Sequence, residues 1–299
     1  MNLTRWKKNM SLHIMLIPAT IFAVLFSYIP MTGIVIAFQR FIPSRGFFNS
    51  TWVGFDNFTY MMNMPDIYQV LYNTVYIAVM KIIAGLVVPI VVALLLNEMK
   101  KKVLVRSVQT MIYLPHFLSW VILGGILIDI LSVENGIVNK AIQAIGLPSV
   151  FFLGDNSWFP LTLVVTDVWK EFGFATIIYL AALTSIDPTL YEAAIIDGAN
   201  RWKQTLHVTL PGITPIIILL GVLSLGNVLN AGFEQVFMLY SPSVYESGDI
   251  IDTLLYRIGF VDAQFGVATA VGMFKSVIAA FLIGMSYWLA YRLAGYRIF

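Results

Sequence analysis

Residues 192–211 read EAAIIDGANRWKQTLHVTLP, and this polar stretch decides how the rest of the chain is interpreted. It lies between two long apolar runs at 161–184 and 212–235, each of which is long enough to cross a bilayer as a helix. A polar loop between two membrane crossings is exposed at one face of the membrane, where a partner protein can push on it.

The residues around this stretch predict two short helices joined by a sharp turn. Asp187 and Pro188 have the pattern of a helix N-cap and first helical position, so we expect a helix over about 188–197. Gly198 can adopt the left-handed backbone conformation, which would turn the chain into a second short helix. We expect Pro211 to close that second helix before the next membrane crossing.

The overall composition is that of a membrane protein. Of the 299 residues, 59% are hydrophobic and 11% are charged, and the mean hydropathy is +0.83, whereas soluble domains carry roughly 25% charged residues. The net charge of +2 is too small to indicate a nucleic-acid partner. The sequence has no cysteine, and its histidines (His13, His116 and His207) are far apart, so we predict no metal site and no cofactor in this chain.

Six segments are apolar and long enough to cross a bilayer as helices, which takes about 20 residues. They lie at 12–38, 70–97, 108–131, 161–184, 212–235 and 264–291. The first follows Arg5, Lys7 and Lys8 but is much longer than a signal-peptide core, so we expect it to be a retained anchor. The sequence therefore predicts an all-α integral membrane protein with about six transmembrane helices.

The basic residues outside the spans are distributed unevenly between the two sides of this predicted topology. Those on the side of both termini and the 185–211 loop are Arg5, Lys7, Lys8, Lys100, Lys101, Lys102, Arg106, Arg201, Lys203, Arg292 and Arg297. Those on the other side are Arg40, Arg45, Lys140 and Arg257. Because Lys and Arg are enriched in cytoplasmic loops, both termini and the 185–211 loop are predicted to be cytoplasmic.

The 185–211 loop resembles the EAA loop of permease subunits in ABC importers. The residues that match its pattern are Glu192, Ala193, Ala194, Asp197, Gly198, Ala199, Leu210 and Pro211. WVGFDNF at 52–58, YLP at 113–115 and LAAL at 180–183 are similar to the carbohydrate-uptake type of this family. The external run at 247–260 looks like the branch that handles polysaccharide-derived oligosaccharides.

The resemblance implies a function, a set of partners and a location. The chain would be a single transmembrane permease domain over 1–299, with its core at 70–292 and its coupling loop at 185–211. It would pair with a second permease subunit, take sugar or oligosaccharide from an extracellular solute-binding protein, and be driven by two cytoplasmic ATPase subunits. It would lie among the lipids of a bacterial or archaeal plasma membrane. The sequence itself contains no GxxxxGK[ST] phosphate loop, so ATP would be bound by the partner subunits.

Polar residues inside the predicted spans are candidates for the substrate pathway. Asn227, Asn230 and Glu234 are spaced by three and four residues, so they would share one face of the fifth helix. The side-chain amides of the two asparagines could replace water around sugar hydroxyls. Hydrogen bonding between helices, with no contact to substrate, is an equally good interpretation.

Three lysines lie within the predicted spans. Lys170 is a further pathway candidate, and its spacing predicts an ion pair with Asp167 on the same helix, an arrangement more typical of packing than of substrate binding. Lys81 and Lys275 are lone charges in apolar runs, and each needs a partner from another helix.

Two other function classes fit the composition less well. The alternatives are an ABC permease for a non-sugar solute and an ion-coupled secondary transporter, although the sequence shows no convincing internal repeat of the kind common in secondary transporters. An enzyme is not predicted, because the acidic residues and histidines form no catalytic constellation and no HExxH motif occurs.

Overall fold

The structure is a computed structural model that describes residues 10–294. Arg5, Lys7, Lys8 and Arg297, which contribute to the predicted positive side, lie outside the described residues. Within them the chain is almost entirely helical, with one two-stranded antiparallel sheet that pairs Gln39 with Trp52 and Arg40 with Thr51. The predicted all-α class is confirmed.

The elements follow one another in this order. The first part of the chain contains α1 (Met10–Ala23), a π-helical turn (Val24–Tyr28), a 3-10 helix (Ile29–Phe38), β1 (Gln39–Arg40), α2 (Gly46–Asn49), β2 (Thr51–Trp52) and α3 (Asp56–Met62). There follow α4 (Ile67–Glu98), α5 (Lys102–Tyr113), a 3-10 turn (Leu114–Phe117), α6 (Trp120–Leu131), α7 (Ile137–Ala144) and α8 (Phe159–Thr184).

The second half continues from the quoted stretch to the last helix. It contains α9 (Pro188–Ile196), α10 (Arg201–Gln204), a π-helical turn (Thr205–Thr209), α11 (Leu210–Leu225), α12 (Phe233–Leu239) and a 3-10 turn (Pro242–Val244). The remaining elements are α13 (Tyr245–Gly248), α14 (Ile251–Tyr256), a π-helical turn (Arg257–Val261) and α15 (Phe265–Ala294).

Within the described part, four helical segments are long and apolar enough to cross a membrane: His13–Phe38, Ile67–Glu98, Arg201–Leu225 and Phe265–Trp288. Two bent helix pairs bring the number to six if each pair is one crossing. The first pair, Lys102–Phe117 with Trp120–Leu131, bends by 106°, and the second, Phe159–Thr184 with Pro188–Ile196, bends by 69°. The count agrees with the predicted six spans, but the third span is not the straight helix expected over 108–131.

The chain divides into two compact units, each with its own packing. One comprises the chain up to Met64 together with Leu255–Phe274. In this unit the Asn57 side-chain amide donates to the carbonyl oxygens of Ala37 and Gln39, at 2.8 and 3.0 Å. These bonds hold α3 against the end of the first span.

The other unit comprises Pro65–Leu254 together with the chain from Lys275, and it is built around α4 and α8. Its core includes the buried side chains of Ala93, Tyr179, Leu183 and Ile213, which come from three different helices. Burial of such apolar side chains fixes the position of α11 beside α4 and α8. This packing places the residues of the candidate sites.

Two predictions about the end of the coupling loop and the fifth span are wrong. Pro211 does not close a helix, because the helical path continues from Arg201 to Leu225. The Leu210 N–H bonds to the Thr205 carbonyl across the π-helical turn, and this wider turn accommodates the proline without ending the helix. The fifth span ends at Leu225 and not near 235, and the chain is non-helical over 226–232 before α12 begins. We call residues 226–232 the span-5 break.

Candidate functional site

The first candidate site is the coupling segment, residues 187–211, and its first helix is capped as the sequence predicts. The Asp187 carboxylate accepts a hydrogen bond of 2.9 Å from the backbone N–H of Thr189. This bond stabilises the charged form and lowers the pKa of the Asp187 carboxyl below its usual value. The cap fixes the start of α9 at the 69° bend from α8.

Gly198 makes the turn that follows α9. Its φ angle is +74°, a left-handed conformation that glycine adopts without strain. The N–H of Gly198 bonds to the Ile195 carbonyl at 3.0 Å, and that of Ala199 bonds to the Ala194 carbonyl at 2.8 Å. This pattern closes the helix C-terminus and turns the chain sharply, as predicted.

Side-chain hydrogen bonds tie the two arms of the coupling segment together. Asn200 caps the second arm by accepting from the Lys203 N–H at 2.9 Å. The buried Gln204 side chain donates back to the Ala199 carbonyl at 2.9 Å. The hydroxyls of Tyr191 and Thr209 lie 3.0 Å apart and link the first arm to the π-helical turn. These bonds brace the bend between the two arms, and we call the coupling segment, residues 187–211, the elbow.

The residues that match the EAA pattern are mostly accessible. Glu192, Ala193, Asp197, Gly198 and Pro211 are exposed, while Ala194, Ala199 and Leu210 are half-buried.

The elbow also carries a group of exposed apolar side chains that the sequence analysis missed. Its members are Leu190, Ile195, Ile196 and Trp202, and the last two are 86% and 69% exposed. The sequence pattern that could have identified them is the presence of large apolar residues inside an otherwise polar loop. Exposed apolar side chains of this kind are typical of a protein or membrane contact.

The second candidate site is a polar cavity of about 260 Å³ beside the span-5 break. It is lined by Ala78, Lys81, Ile82, Gly85, Leu86, Asp167, Ser224, Asn227, Asn230, Ala231 and Gly232. The polar groups come from α4, α8 and the end of α11 with the break. Irregular backbone at membrane depth is tolerated where it lines a cavity or is buried in protein.

Lys81 holds the break in place. Its ammonium donates to the Ala231 carbonyl at 2.7 Å, to the Asp167 carboxylate at 3.2 Å and to the side-chain carbonyl of Gln235. The lysine is 8% exposed, so these contacts replace the water that the charge has lost. An interhelical partner for Lys81 was predicted to exist, and the structure identifies three.

Gln235 extends this arrangement to α8. It is fully buried, and its side-chain amide donates to the Leu163 carbonyl at 2.8 Å and to the Thr166 hydroxyl at 2.7 Å. Gly232 has φ +91°, and a Cβ there would lie 2.9 Å from the Lys81 nitrogen. Gly232 thus allows both the turn and the close approach of the lysine.

The structure changes the interpretation of three predicted pathway residues. Asn227, Asn230 and Glu234 do not share one helix face, because α11 ends at Leu225. Asn227 and Asn230 both line the cavity, but from the turn, where their side chains are exposed. Glu234 is exposed in the first turn of α12 and does not line the cavity.

The predicted pair of Asp167 and Lys170 does not form. Asp167 pairs with Lys81, whereas the Lys170 ammonium donates to Glu171 at 2.7 Å and to the His116 carbonyl at 3.1 Å. A neighbouring helix therefore supplies a better-placed cation than the same helix does. Lys170 on α8 is also buried. Through the His116 carbonyl it contacts the kink between the two arms of the third span, and it does not line the cavity.

The structure also gives a partner for the remaining lysine. Lys275 pairs with Asp252, an ion pair that the sequence could not identify. Among residues 10–294, no group of His, Asp or Glu side chains is arranged to hold a metal ion.

The chain is similar to known transport proteins over most of its length. Residues 85–295 match the family described as the binding-protein-dependent transport system inner membrane component. Protein LplB of Bacillus subtilis (strain 168) is 41% identical over 277 residues, which are 93% of this chain and 87% of that protein. The polygalacturonan/rhamnogalacturonan transport system permease protein YteP of the same organism is 41% identical over 283 residues, 95% and 87% of the two chains.

Solved structures give the same result. A bacterial ABC transporter involved in the import of the acidic polysaccharide alginate matches with a TM-score of 0.89 and 38% identity, over 97% of this chain and 98% of that one. A bacterial alginate ABC transporter in complex with an alginate pentasaccharide-bound periplasmic protein matches with a TM-score of 0.89 and 37% identity, over 97% of both chains.

Proposed function

The chain belongs to the family of binding-protein-dependent transport system inner membrane components, and from this premise we propose that it carries sugars or oligosaccharides through the membrane. The family makes it a permease subunit of an ABC importer in the inner membrane. The proposal for the cargo is supported by the names of its relatives, which include a polygalacturonan/rhamnogalacturonan permease at 41% identity.

The observation that carries this proposal is that one matched region, residues 85–295, contains the braced elbow and every lining residue of the polar cavity except Ala78, Lys81 and Ile82. The elbow is suited to receive force from a protein at one membrane face. The cavity is suited to hold a polar solute between membrane spans. A permease needs both, because it moves a solute with energy supplied from outside itself.

We assign the elbow to the cytoplasmic side and to ATPase coupling. Glu192, Ala193 and Asp197 are exposed on its first arm and turn, and the small alanine lets a partner surface approach closely. A partner would also desolvate exposed apolar side chains of the elbow, which are Leu190, Ile195, Ile196 and Trp202. Two ATPase subunits would bind ATP and move the elbows of two permease subunits, and this chain would hold no cofactor.

We assign the substrate pathway to the cavity at the span-5 break. Asn227 and Asn230 offer amide donors and acceptors to sugar hydroxyls, and Ser224 adds a hydroxyl. A solute-binding protein on the outer face would deliver the saccharide, as in the alginate transporter complex that this chain resembles. Alternating access of the cavity to the two faces would complete the transport cycle. The whole of 1–299 serves as one permease domain, with its core at 70–292.

Reconstitution of the assembled transporter tests the function directly. The complex, isolated through a tag on this chain, is expected to contain an ATPase subunit and a second permease. In proteoliposomes with its binding protein outside and ATP inside, it should accumulate a labelled saccharide. Uptake that persists without ATP but requires an ion gradient would overturn the proposal in favour of a secondary transporter. Uptake of a non-sugar solute alone would overturn only the cargo assignment.

The asparagines are tested in the same assay. Replacing Asn227 and Asn230 by alanine should raise the saccharide concentration needed for half-maximal uptake. If substrate preference and affinity stay unchanged in an intact complex, these residues have only a packing role.

A further inference from the structure

The cavity at the span-5 break contains one buried cation whose hydrogen-bonding capacity is used up. A lysine ammonium has three N–H donors and no acceptor. The ammonium of Lys81 has three acceptors within the protein: Asp167, the Ala231 carbonyl and the Gln235 side chain. No N–H of Lys81 is therefore left to donate to a ligand, even though the lysine lines the cavity.

Asp167, by contrast, has hydrogen-bond acceptor capacity that the protein does not use. Lys81 bonds to its Oδ1 atom, and among residues 10–294 no hydrogen bond reaches its Oδ2 atom. The Asp167 side chain is 25% exposed, against 8% for Lys81, and it also lines the cavity. A carboxylate offers about four lone-pair sites on its two oxygens, so Asp167 can still accept from a ligand.

We propose that Asp167 is a specificity-determining residue that accepts hydrogen bonds from the hydroxyls of a neutral sugar unit, and that Lys81 is the positioning residue behind it. The inference rests on the proposed saccharide import. Under this proposal, the cavity binds hydroxyl groups of the cargo and disfavours anionic groups.

Charge gives the reason for the discrimination. A uronate carboxylate in the cavity would face the Asp167 carboxylate at close range, with no free ammonium hydrogen to compensate it. A hydroxyl in the same place donates to Asp167 and accepts from the amides of Asn227 or Asn230. If the cargo carries acidic units, their carboxylates must be held elsewhere along the pathway.

The position of Asp167 depends on Lys81 and on the break. Lys81 reaches across from α4 to both α8 and the Ala231 carbonyl, so one ammonium sets the distance between the carboxylate and the turn that carries the asparagines. The three acceptors converge on one compact ammonium. The planar guanidinium of an arginine at position 81 would not fit this arrangement.

A protection assay on the assembled complex in nanodiscs, without its binding protein, tests this assignment. Because the chain has no cysteine, Ser224→Cys places a single thiol in this chain at the cavity. The probes are galactotriose and trigalacturonate of the same linkage, in which the sixth carbon of each unit is a hydroxymethyl carbon or a carboxylate carbon, respectively. Labelling of the thiol by a maleimide is followed by mass spectrometry of this chain. The measured quantity is the sugar concentration that halves the labelling rate.

We expect galactotriose to protect at lower concentration than trigalacturonate. Asp167→Asn, added to the reporter, should raise the half-protecting concentration of galactotriose roughly tenfold, as expected for loss of a hydrogen bond to a charged group. The same substitution should also reduce the preference for galactotriose over trigalacturonate. The matched control is Asp252→Asn, which removes the carboxylate of another lysine–aspartate pair that does not line the cavity, and it should leave both concentrations unchanged.

Three results would overturn the inference: no protection by galactotriose, equal protection by the two sugars, or an Asp167→Asn variant that behaves like the control. None of these depends on uptake. A complex that accumulates saccharide but gives any of them refutes the role of Asp167 and leaves the proposed function standing. Conversely, absence of ATP-driven saccharide uptake refutes the proposed function whatever the protection shows.

Discussion

At the scale of single residues, the molecule depends on how it accommodates a few charged groups inside its spans. Lys81 on α4 donates to Asp167 on α8, to Gln235 on α12 and to the Ala231 carbonyl of the broken backbone. An unpaired charge in such surroundings is costly, so each member constrains the others.

Removing the charge of Lys81 should therefore destabilise the protein strongly. Lys81→Met leaves the half-buried Asp167 carboxylate without its partner, and the roughly 3–5 kcal/mol typical of a fully buried ion pair is the upper bound of the cost. Thermal unfolding of the detergent-solubilised complex measures the effect. The double variant Lys81→Met with Asp167→Asn should recover part of the loss, because the uncompensated charge is gone. A single variant as stable as the wild type would contradict this account of the ion pair.

Gly198 is the second position where one residue decides a local structure. Its φ of +74° is outside the range of β-branched residues, although nothing lies within 4 Å of a Cβ at this position. Gly198→Val should therefore shift the two arms of the elbow and lower the amount of saccharide transported per ATP hydrolysed. Gly198→Asn, which tolerates the left-handed conformation, is the control and should transport normally. Equal coupling in both variants would exclude this role for Gly198.

At the scale of elements, local signals predicted local structure well. Asp187, Pro188 and Gly198 act within a few residues of themselves, so the start and end of α9 could be predicted from the sequence. The end of α11 could not, because the apolar character continues past Leu225 and the break is stabilised by Lys81, which is 150 residues away from Ala231 in sequence. For the same reason the partner of Asp167 was misassigned to its own helix.

The cap of α9 gives a prediction that depends on pH. The pKa of Asp187 is lowered by its bond to the Thr189 N–H, so the cap contributes at neutral pH and is lost as the pH falls through that lowered pKa. Asp187→Ala should accelerate hydrogen exchange of the first amides of α9 at neutral pH, and Asp187→Ser should largely restore protection. Exchange rates that are the same in wild type and Asp187→Ala would show that the cap does not hold this helix.

At the scale of the whole molecule, one importer subunit contains both the elbow that we assign to ATPase coupling and the cavity that we assign to the solute. Both features lie in the unit that comprises Pro65–Leu254 with the chain from Lys275. The composition and the span pattern predicted the class and the approximate number of crossings. They could not locate the cavity, which is formed by side chains from three separate segments and a break in one helix.

We infer that the elbow faces the cytoplasm, where an ATPase can act on it, and accessibility labelling of intact cells measures this orientation. Ile196→Cys places a thiol on the exposed tip of the elbow, and Phe48→Cys places one on a fully accessible residue of the predicted outer face, in a chain with no other cysteine. We expect a membrane-impermeant maleimide to label position 48 in intact cells and to label position 196 only after permeabilisation. Labelling of position 196 in intact cells would contradict this inference.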